Sequence, residues 1–400
     1  MDAVIVATAR TPIGRALKGS LVDCRPDDLG AGIIQALLAK VPSLDPAEVE
    51  DVIWGCAQPA GEAGFNLARV TAILAGLDTP GVTVNRYCSS SLQTIRMAAH
   101  AIRAGEGDVF ISGGVETVSR FVNGRADYGP EVWNSKFEEA TERTQARAEG
   151  AAPPWSPLDG LPDVYIAMGQ TAENVAEYAN VTREEMDEFA ALSQNRAVQS
   201  QENGFFEREI TPVTLADGTV ISKDDGPRPD TTVEKLAQLK PVFRPDGRVT
   251  AGNACPLNDG AAAVVVMSEE RASALGIQPL ARIVASGVSA LDPEIMGLGP
   301  VGACRQALGR AKLSIDDIDL VEINEAFAAQ VIPSAKELDI PFEKLNVHGG
   351  AIALGHPFGQ TGARIMTTLL NGLEDAGGRY GLESMCVGGG QGMAMVVERL

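Results

Sequence analysis

Short β-rich runs alternate with helical patterns along almost the whole of this 400-residue chain. The strand candidates are Val4–Ala7, Asp51–Trp54, Val82–Asn85, Asp108–Ser112, Ala261–Met267, Ala281–Ala285, Leu320–Ile323, Met385–Gly388 and Met393–Val397. The helix candidate Asp28–Val41 repeats its apolar residues four apart along one stripe. A second helix is expected to begin at Thr182, which forms a capping-box pattern with Glu185, and to end near Gly204. This alternation predicts an α/β protein with parallel strands and helices on both faces of the sheet.

The two ends of the chain resemble each other. Leu44–Gly55 and Leu313–Asn324 share a leucine, an acidic turn and a short strand, and each follows a helical pattern. Each is followed by a strand, a tight turn and a helix, in Val84–Arg103 and in Val347–Leu370. Each half is then expected to close with a strand that ends in glycines, at positions 113–114 and 388–390. The pattern predicts an internal duplication, although a chance likeness between two β-α-β stretches is an alternative.

A segment of different character separates these two ends. Residues 117–250 contain prolines, two of the three tryptophans and polar stretches such as Glu138–Glu149. The segment is too long for a connection within a compact domain, which indicates a functional insertion. The expected domains are therefore an N-terminal half at 1–116, completed by part of 251–275, an inserted domain at 117–250, and a C-terminal half at 276–400.

Composition excludes several classes of function. With 33 basic and 53 acidic residues the net charge is −20, so the chain would repel the phosphates of a nucleic acid. The longest apolar run, Ala261–Met267, is too short to span a membrane, and Met1–Arg10 is expected to be a first strand, not a signal peptide. Six scattered cysteines without a C-x-x-C pair indicate reduced thiols in a cytoplasmic protein. Motifs for a bound metal or a nucleotide phosphate are missing from the sequence.

Cys88 lies where a strand pattern gives way to a helical one, in VNRYCSSSLQ. The N-terminus of a helix places unpaired N–H groups and a partial positive charge beside the sulfur. We expect this position to lower the pKa of the thiol and to favour a nucleophilic thiolate. For this motif alone, a buried structural cysteine is the alternative.

Histidine is scarce, with three in the chain, and two of them lie in NVHGGAIALGHPFGQTGAR. His356 is held between Gly355 and Pro357, where the proline restricts the backbone and the surrounding glycines permit close approach of a ligand. A lone histidine is commonly a satisfied structural residue. In this setting His356 is a candidate for catalysis.

Two further blocks could support acyl chemistry. In CVGGGQG the glycines after Cys386 lead into a strand and not into a helix, which argues against a phosphate cradle. Their N–H groups, including that of Gly388, could instead form an oxyanion hole. In IDLVEINEAFAAQ, Asn324 follows a strand and precedes an alanine-rich helical pattern. It could cap that helix or hold a water or a carbonyl oxygen.

Together these blocks resemble the thiolase family over essentially the whole chain. VNRYCSSSLQ is similar to the nucleophile motif, NEAFAAQ to the asparagine motif, GGAIALGHPFGQTGAR to the histidine motif and CVGGGQG to the second cysteine motif. MGQTAENVA, PRPDTTVEKLAQLKP and VTAGNACPLNDGAA resemble the intervening motifs. The resemblance implies two similar five-stranded αβαβα halves, with residues 117–250 as a loop domain that holds coenzyme A.

The resemblance also implies a ping-pong mechanism. His356 would help to deprotonate Cys88, which attacks the thioester carbonyl and becomes acylated. Cys386 would move the α-proton. Oxyanions would be stabilised by His356 with a water on Asn324, and by the N–H groups of Cys88 and Gly388. The reaction would be thiolytic cleavage of a 3-ketoacyl-CoA, as in β-oxidation of fatty acids, or condensation of two acetyl-CoA. Coenzyme A thioesters would be substrates, with no metal or cofactor, and the protein would be a dimer or tetramer.

Matching positions give the residues expected to bind substrate and coenzyme A, which are Arg228, Cys255, Ala251, Met168, Phe327 and His348. Three positions depart from the family. Cys255 stands where serine is usual, His348 where asparagine is usual, and Ala167 where short-chain synthetic members have histidine. These departures favour a degradative enzyme that accepts more than acetoacetyl-CoA. The alternatives are another condensing enzyme of the ketosynthase type, which uses a cysteine with two histidines, and a non-catalytic acyl-CoA- or lipid-binding relative.

Overall fold

The computed structural model describes residues 1–127, 129–157 and 159–400. The strands are β1 Ala3–Arg10, β2 Gly14–Arg15, β3 Asp51–Gly55, β4 Gly81–Val84, β5 Val109–Thr117, β6 Val213–Thr214, β7 Val220–Ile221, β8 Asn258–Ser268, β9 Ala281–Ala290, β10 Leu320–Ile323, β11 Tyr380–Val387 and β12 Gln391–Arg399. The α-helices are α1 Pro26–Lys40, α2 Leu67–Leu74, α3 Ser90–Ala104, α4 Glu138–Ala148, α5 Met168–Tyr178, α6 Arg183–Glu202, α7 Val233–Leu236, α8 Glu269–Ala274, α9 Gly299–Ala311, α10 Ala328–Glu337, α11 Ala351–Leu354 and α12 Thr361–Ala376.

One mixed sheet connects most of these strands, in the order β10-β11-β12-β9-β1-β8-β5-β3-β4, with β2 on β8. β3 runs parallel to β4 and β5, and β10 runs parallel to β11, while the other neighbours are antiparallel. The expectation of parallel strands is therefore only partly right. β11 and β12 must pair antiparallel, because the glycine turn at 388–390 that connects them is too short for the crossover that a parallel pair needs.

The expected internal duplication is confirmed by the strand order. In the first half β3 pairs in parallel with β5, and β8 and β1 follow antiparallel; in the second, β10 pairs in parallel with β11, and β12 and β9 follow antiparallel. The fifth strand of the first half is β4. At the equivalent position in the second half there is only a single residue pair, a parallel bridge between Val321 and Leu345. A short antiparallel contact between β1 and β9 joins the halves.

Helices α3 and α12 form the central layer. Their apolar faces, with Leu92 and Ile95 on α3 and Ile365 and Leu369 on α12, share one core cluster with strand residues of both halves. Helices α1 and α2 cover the outer face of the first half, and α9 and α10 cover that of the second. Since Cys88 immediately precedes α3 and His356 precedes α12, this layering brings the candidate residues to the N-terminal ends of the two central helices.

Of the local predictions, the capping box is confirmed and the strand end at 113–114 is wrong. The capping box of Thr182 and Glu185 is present, and α6 begins and ends close to the expected positions. Gly113 and Gly114, however, lie inside β5 and do not end it. Their role is close approach: a Cβ on Gly114 would lie 2.1 Å from the carbonyl oxygen of Gly359. Within the described ranges, no helix is long and apolar enough to cross a membrane. The domain boundaries given above remain predictions.

Candidate active site

Cys88 sits in a tight 3₁₀ turn, Tyr87–Ser89, between β4 and α3. Tyr87 has a left-handed backbone with φ of 42°, a conformation that costs a non-glycine residue of order 1–3 kcal/mol. The turn is held by neighbouring side chains, because the N–H of Tyr87 donates to Asn85 Oδ1 (2.8 Å) and the N–H of Arg86 donates to Ser90 Oγ (2.9 Å). The surrounding contacts thus fix the sulfur at the start of the helix.

The expected lowering of the Cys88 pKa is wrong for this structure. Burial raises the pKa of the thiol to about 11, although the N–H groups of Gly388 and of Cys88 itself oppose this shift. The helix start supplies only a partial charge, and the cost of placing a thiolate in a site that is 9% exposed outweighs it. Cys88 is therefore a neutral thiol at rest.

His356 is held at three points, two of them on its ring. Its backbone N–H donates to Asn258 Oδ1 (3.0 Å), while the ring Nδ1 lies 2.7 Å from Thr361 Oγ1 and the ring Nε2 lies 3.2 Å from Asn324 Nδ2. The hydroxyl of Thr361 donates to the carbonyl of Pro357 (2.8 Å), so it accepts from Nδ1–H. Nδ1 therefore bears the proton and Nε2 is the unprotonated nitrogen, which accepts from the Asn324 amide.

Burial also keeps this ring neutral. The pKa of His356 is lowered to about 3, first by burial and then by the positive charge of Arg364. With the Cys88 thiol raised to about 11, the thiol and the imidazole are both uncharged between these values, and no thiolate–imidazolium ion pair forms at rest. Ionisation of this thiol is therefore favoured only where a developing negative charge is stabilised.

This resting state predicts how alkylation of Cys88 depends on pH. A thiol with a pKa near 11 is roughly one part in 10⁴ thiolate at pH 7, so the rate with iodoacetamide should rise steadily from pH 6 to pH 9. An ion pair would instead give a rate that is level over this range. Mass spectrometry of the Cys88 peptide separates this reaction from alkylation of Cys24 and Cys255, and a level rate would contradict the neutral pair.

Asn324 follows β10 and precedes α10, as expected. Its backbone is fixed by bonds to Ser384 O (2.9 Å) and from Gln330 Nε2 (2.7 Å). Its Nδ2 faces His356, while its Oδ1 is buried and has no hydrogen-bond partner among the described residues. A buried acceptor without a partner is costly, and this oxygen is suited to a water or a ligand donor.

The structure brings three thiols together. Cys386, near the end of β11, is fully buried, and its pKa is raised well above the usual value by burial and then by the nearby sulfurs of Cys88 and Cys255. The turn Tyr87–Ser89 packs against both β11 and the turn Phe358–Gln360. Gly388 directs its N–H at the Cys88 sulfur. Cys88, Cys386 and Gly388 therefore meet here, and Asn324, whose N–H donates to Ser384 O on the same strand as Cys386, brings His356 beside them.

A cavity of about 470 Å³ opens at Cys88. Its described lining is Ala57, Gln58, Tyr87, Cys88, Asp127, Trp133, Val164, Tyr165, Ile166, Ala167, Met168, Phe358, Gly388 and Gly389. A slightly larger cavity, about 510 Å³, lies between α1 and the β6–β7 hairpin and includes none of the candidate catalytic residues. We take the cavity at Cys88 as the candidate site because it alone of these two reaches the nucleophile.

The predicted coenzyme A-binding residues spread over several places. Met168 lines the cavity. Cys255 joins the thiol cluster, its N–H donating to Ala326 O (3.0 Å), and Phe327 lies beside it through a bridge to Ala254. Ala251 is exposed in the preceding turn.

Arg228 is exposed and lies near Arg15, whose pKa is lowered by burial and by the charge of Arg228. Asp225 also lies beside Arg15, so the positive charge here is partly balanced, and the predicted role of Arg228 in binding coenzyme A stays a prediction.

His348 does not line the cavity at Cys88. Its ring stacks on Phe205 at 3.5 Å between centroids, and its Nδ1 lies 3.0 Å from Ser200 Oγ. Burial lowers its pKa to about 4, so the ring is neutral. These contacts are structural, and the predicted role of His348 in substrate binding gains no support from them.

Glu116, near the end of β5, was missed by the sequence reasoning. Its carboxylate accepts from the N–H groups of Ala57 (2.9 Å), Gln58 (3.2 Å) and Gly359 (2.9 Å), and burial raises its pKa to about 7. One acidic side chain thus joins a wall of the cavity to the turn after His356. The available signal was a glutamate in an otherwise apolar buried strand, VFISGGVET.

Comparison with known proteins agrees with this geometry. Residues 3–270 match the family model described as "Thiolase, N-terminal domain", and residues 277–399 match "Thiolase, C-terminal domain". A protein of Acinetobacter baylyi named "Beta-ketoadipyl-CoA thiolase" is 46% identical, covering 100% of this chain and 99% of its own length. Proteins named "3-ketoacyl-CoA thiolase" from Aeromonas hydrophila and Idiomarina loihiensis are 45% and 44% identical, with 100% of both chains covered.

Proposed function

Since the chain belongs to the thiolase family, we propose that it is an acyltransferase that cleaves 3-ketoacyl-CoA with coenzyme A and catalyses the reverse condensation. The acyl group would be carried on Cys88. The observation that supports this most is the Asn324–His356 pair (3.2 Å) beside a cluster of three thiols and a cavity that reaches Cys88. A neutral thiol, a neutral imidazole with an unprotonated Nε2 and a protonated second thiol are the groups such a reaction needs.

The first half-reaction forms the acyl-enzyme. The sulfur of Cys88 attacks the 3-keto carbon of the substrate while its proton passes to Nε2 of His356. The C2–C3 bond then breaks, and its electron pair stays on C2 as the enolate of acetyl-CoA. Cys386 gives its proton to C2, so acetyl-CoA leaves and Cys386 is left as the thiolate. The raised pKa of Cys386 suits it to hold a proton until this carbanion forms.

The second half-reaction returns the enzyme to its starting state. The thiol of coenzyme A gives its proton to the Cys386 thiolate and attacks the acyl carbonyl on Cys88. The bond from the carbonyl carbon to the Cys88 sulfur breaks, and that sulfur recovers its proton from His356. Condensation is the same sequence reversed. Each proton is carried by a side chain of the protein, so the proposed route uses no cofactor and coenzyme A acts as a substrate.

Negative oxygen develops in both half-reactions. The N–H groups of Cys88 and Gly388 both lie at the Cys88 sulfur, and together they would bind the carbonyl oxygen of the group attached there. The amide of Asn324 and Nε2 of His356 lie side by side, and with a water on Asn324 they would stabilise the enolate oxygen. Such preorganised donors in a buried site are worth about 3–4 kcal/mol each in comparable enzymes.

The experiment that tests this function is CoA-dependent cleavage of 3-ketoacyl-CoA by the wild-type protein. Loss of the enolate absorbance should accompany formation of acetyl-CoA, and acetyl-CoA alone should add one acetyl group to the Cys88 peptide. Decarboxylation of malonyl-CoA without thiolysis would instead indicate a condensing enzyme of the ketosynthase type. An unmodified Cys88 after incubation would contradict the proposal and favour a non-catalytic acyl-CoA-binding relative.

We also propose the finer points that the sequence suggested: degradation in β-oxidation, a reducing cytoplasmic setting, and a dimer or tetramer. All six cysteines are free, which fits a reducing compartment. β4 is the last strand of the sheet, and the surface beside it exposes apolar side chains, with Ile73 at 56% and Val82 at 38%. An edge strand flanked by apolar residues supports association of two chains there.

A further inference from the structure

The cavity at Cys88 has an apolar, aromatic lining in which Asp127 is the only charged residue among those described. Resting on the proposed function, we infer that the enzyme selects uncharged, bulky apolar acyl groups, that the Trp133–Tyr165 wall sets this selection, and that Asp127 disfavours acyl groups with a terminal carboxylate. Apart from Asp127, the Cys88 thiol and the tyrosine and tryptophan rings, the described lining has one more side chain that can form hydrogen bonds. It is the amide of Gln58, which is uncharged. The described lining residues offer an acidic acyl group no positive charge.

The aromatic wall is built to keep its form. Trp133 and Tyr165 stack with centroids 4.8 Å apart and an angle of 1°, and Phe137 meets Tyr165 edge-on at 5.5 Å. The N–H of Asn134 donates to the Tyr165 hydroxyl (3.2 Å), and the N–H of Tyr165 donates to Asp163 Oδ1 (3.0 Å). Because both sides of the stack are anchored, the wall leaves an open cavity of about 470 Å³.

A cavity of that size exceeds the needs of a small acyl group. In the part of the cavity that the arm of coenzyme A does not fill, an acetyl group would leave water against apolar walls, while a longer or ring-bearing acyl group would replace that water with apolar contact. Each buried methylene should then raise kcat/KM by about threefold to fourfold. The preference for larger acyl groups follows from the cavity and does not depend on the charge of Asp127.

Asp127 is held at the mouth of this cavity. Its N–H and that of Ala126 both donate to Gln58 Oε1 (2.9 and 2.8 Å), which fixes the segment against the wall. Arg125 does not line the cavity and is engaged with Asp127 itself at 3.6 Å; both side chains are more than half exposed. A terminal carboxylate would lose its water in the apolar lining, find no free cation there and face a like charge.

The test compares 3-oxohexanoyl-CoA with 3-oxoadipyl-CoA, which share a carbon skeleton and differ in a terminal methyl or carboxylate. We expect kcat/KM for 3-oxohexanoyl-CoA to exceed that for 3-oxoadipyl-CoA by at least about thirtyfold. From acetoacetyl-CoA to 3-oxooctanoyl-CoA, kcat/KM should rise with chain length. Equal or higher activity with 3-oxoadipyl-CoA would overturn the inference, as would a fall in activity with chain length.

Two variants assign the effect to Asp127. Asp127→Asn should raise the 3-oxoadipyl to 3-oxohexanoyl ratio of kcat/KM by about threefold to tenfold, and Asp127→Lys should raise it further. Asp78→Asn is the matched control, since Asp78 is a fully exposed carboxylate away from the cavity. The same ratio in all three variants would overturn the role of Asp127. Failure to cleave any of these substrates, with no acetylation of Cys88, would overturn the proposed function itself.

Discussion

The Cys88→Ser variant should fold normally, form no acyl-enzyme and lose at least about 10⁴-fold in thiolysis. Serine fits the volume of the buried cysteine, so the turn Tyr87–Ser89 and its hydrogen bonds should persist. The hydroxyl is a far weaker nucleophile, and it must give its proton to an imidazole whose pKa is lowered to about 3. A base that weak suffices only for a thiol, whose anion is more stable.

Two measurements check this result. Intact mass after incubation with acetyl-CoA should show one added acetyl group on the wild type and none on the variant, and circular dichroism should show the same fold. Cys24→Ser is the control, because Cys24 is half-buried and lines the other cavity, so this change should leave turnover intact. Turnover of Cys88→Ser within tenfold of wild type would show that the acyl group is carried elsewhere.

The His356→Ala variant should lose about 10³–10⁴-fold in kcat, with a smaller effect on KM. Removing the ring takes away the proposed acceptor of the Cys88 proton and leaves the amide of Asn324 without its partner at 3.2 Å. The thiol, whose pKa is about 11, must then ionise without help. The residual rate should therefore rise about tenfold per pH unit from pH 7 to pH 9, which a purely structural defect would not produce.

His100→Asn provides the comparison for this variant. His100 is exposed on α3, so its loss should change neither kcat nor the pH profile. Single-turnover acylation at Cys88, followed by quenching and mass analysis, should be slowed in His356→Ala to the same degree as kcat. A loss smaller than tenfold, or a rate that does not change with pH, would mean that another group accepts the proton.

The positions of the candidate residues along the fold could be predicted because each lies at a boundary with a local signal. Cys88 and Asn324 follow apolar strands and precede helices, and Cys386 lies one residue before the end of a strand that leads into a glycine turn. The duplicated order of strands was also visible, since each half repeats the same sequence of runs. What these signals share is that they depend on residues within a few positions of one another.

Properties that depend on distant contacts could not be predicted. The helix start suggested an acidic thiol at Cys88, but the burial that reverses this shift comes from other parts of the chain. The antiparallel neighbours of β8 and β9 are likewise set by long-range pairing. The role of Glu116 could not be predicted for the same reason. Its partner Gly359 lies far from it in the sequence, and no motif around Glu116 indicates that the two residues are in contact.

The carboxylate of Glu116 has a practical consequence for redesign. It grips Ala57 and Gln58 on one side and Gly359 on the other, and Gln58 in turn holds the segment at Asp127. Segments of the cavity wall that are far apart in the sequence are therefore joined, through the Glu116 carboxylate, to the turn that follows His356. Transplanting the segment at Ala126 and Asp127 into a related enzyme would be incomplete without a glutamine at the position of Gln58, because the side-chain oxygen of that residue accepts from both N–H groups.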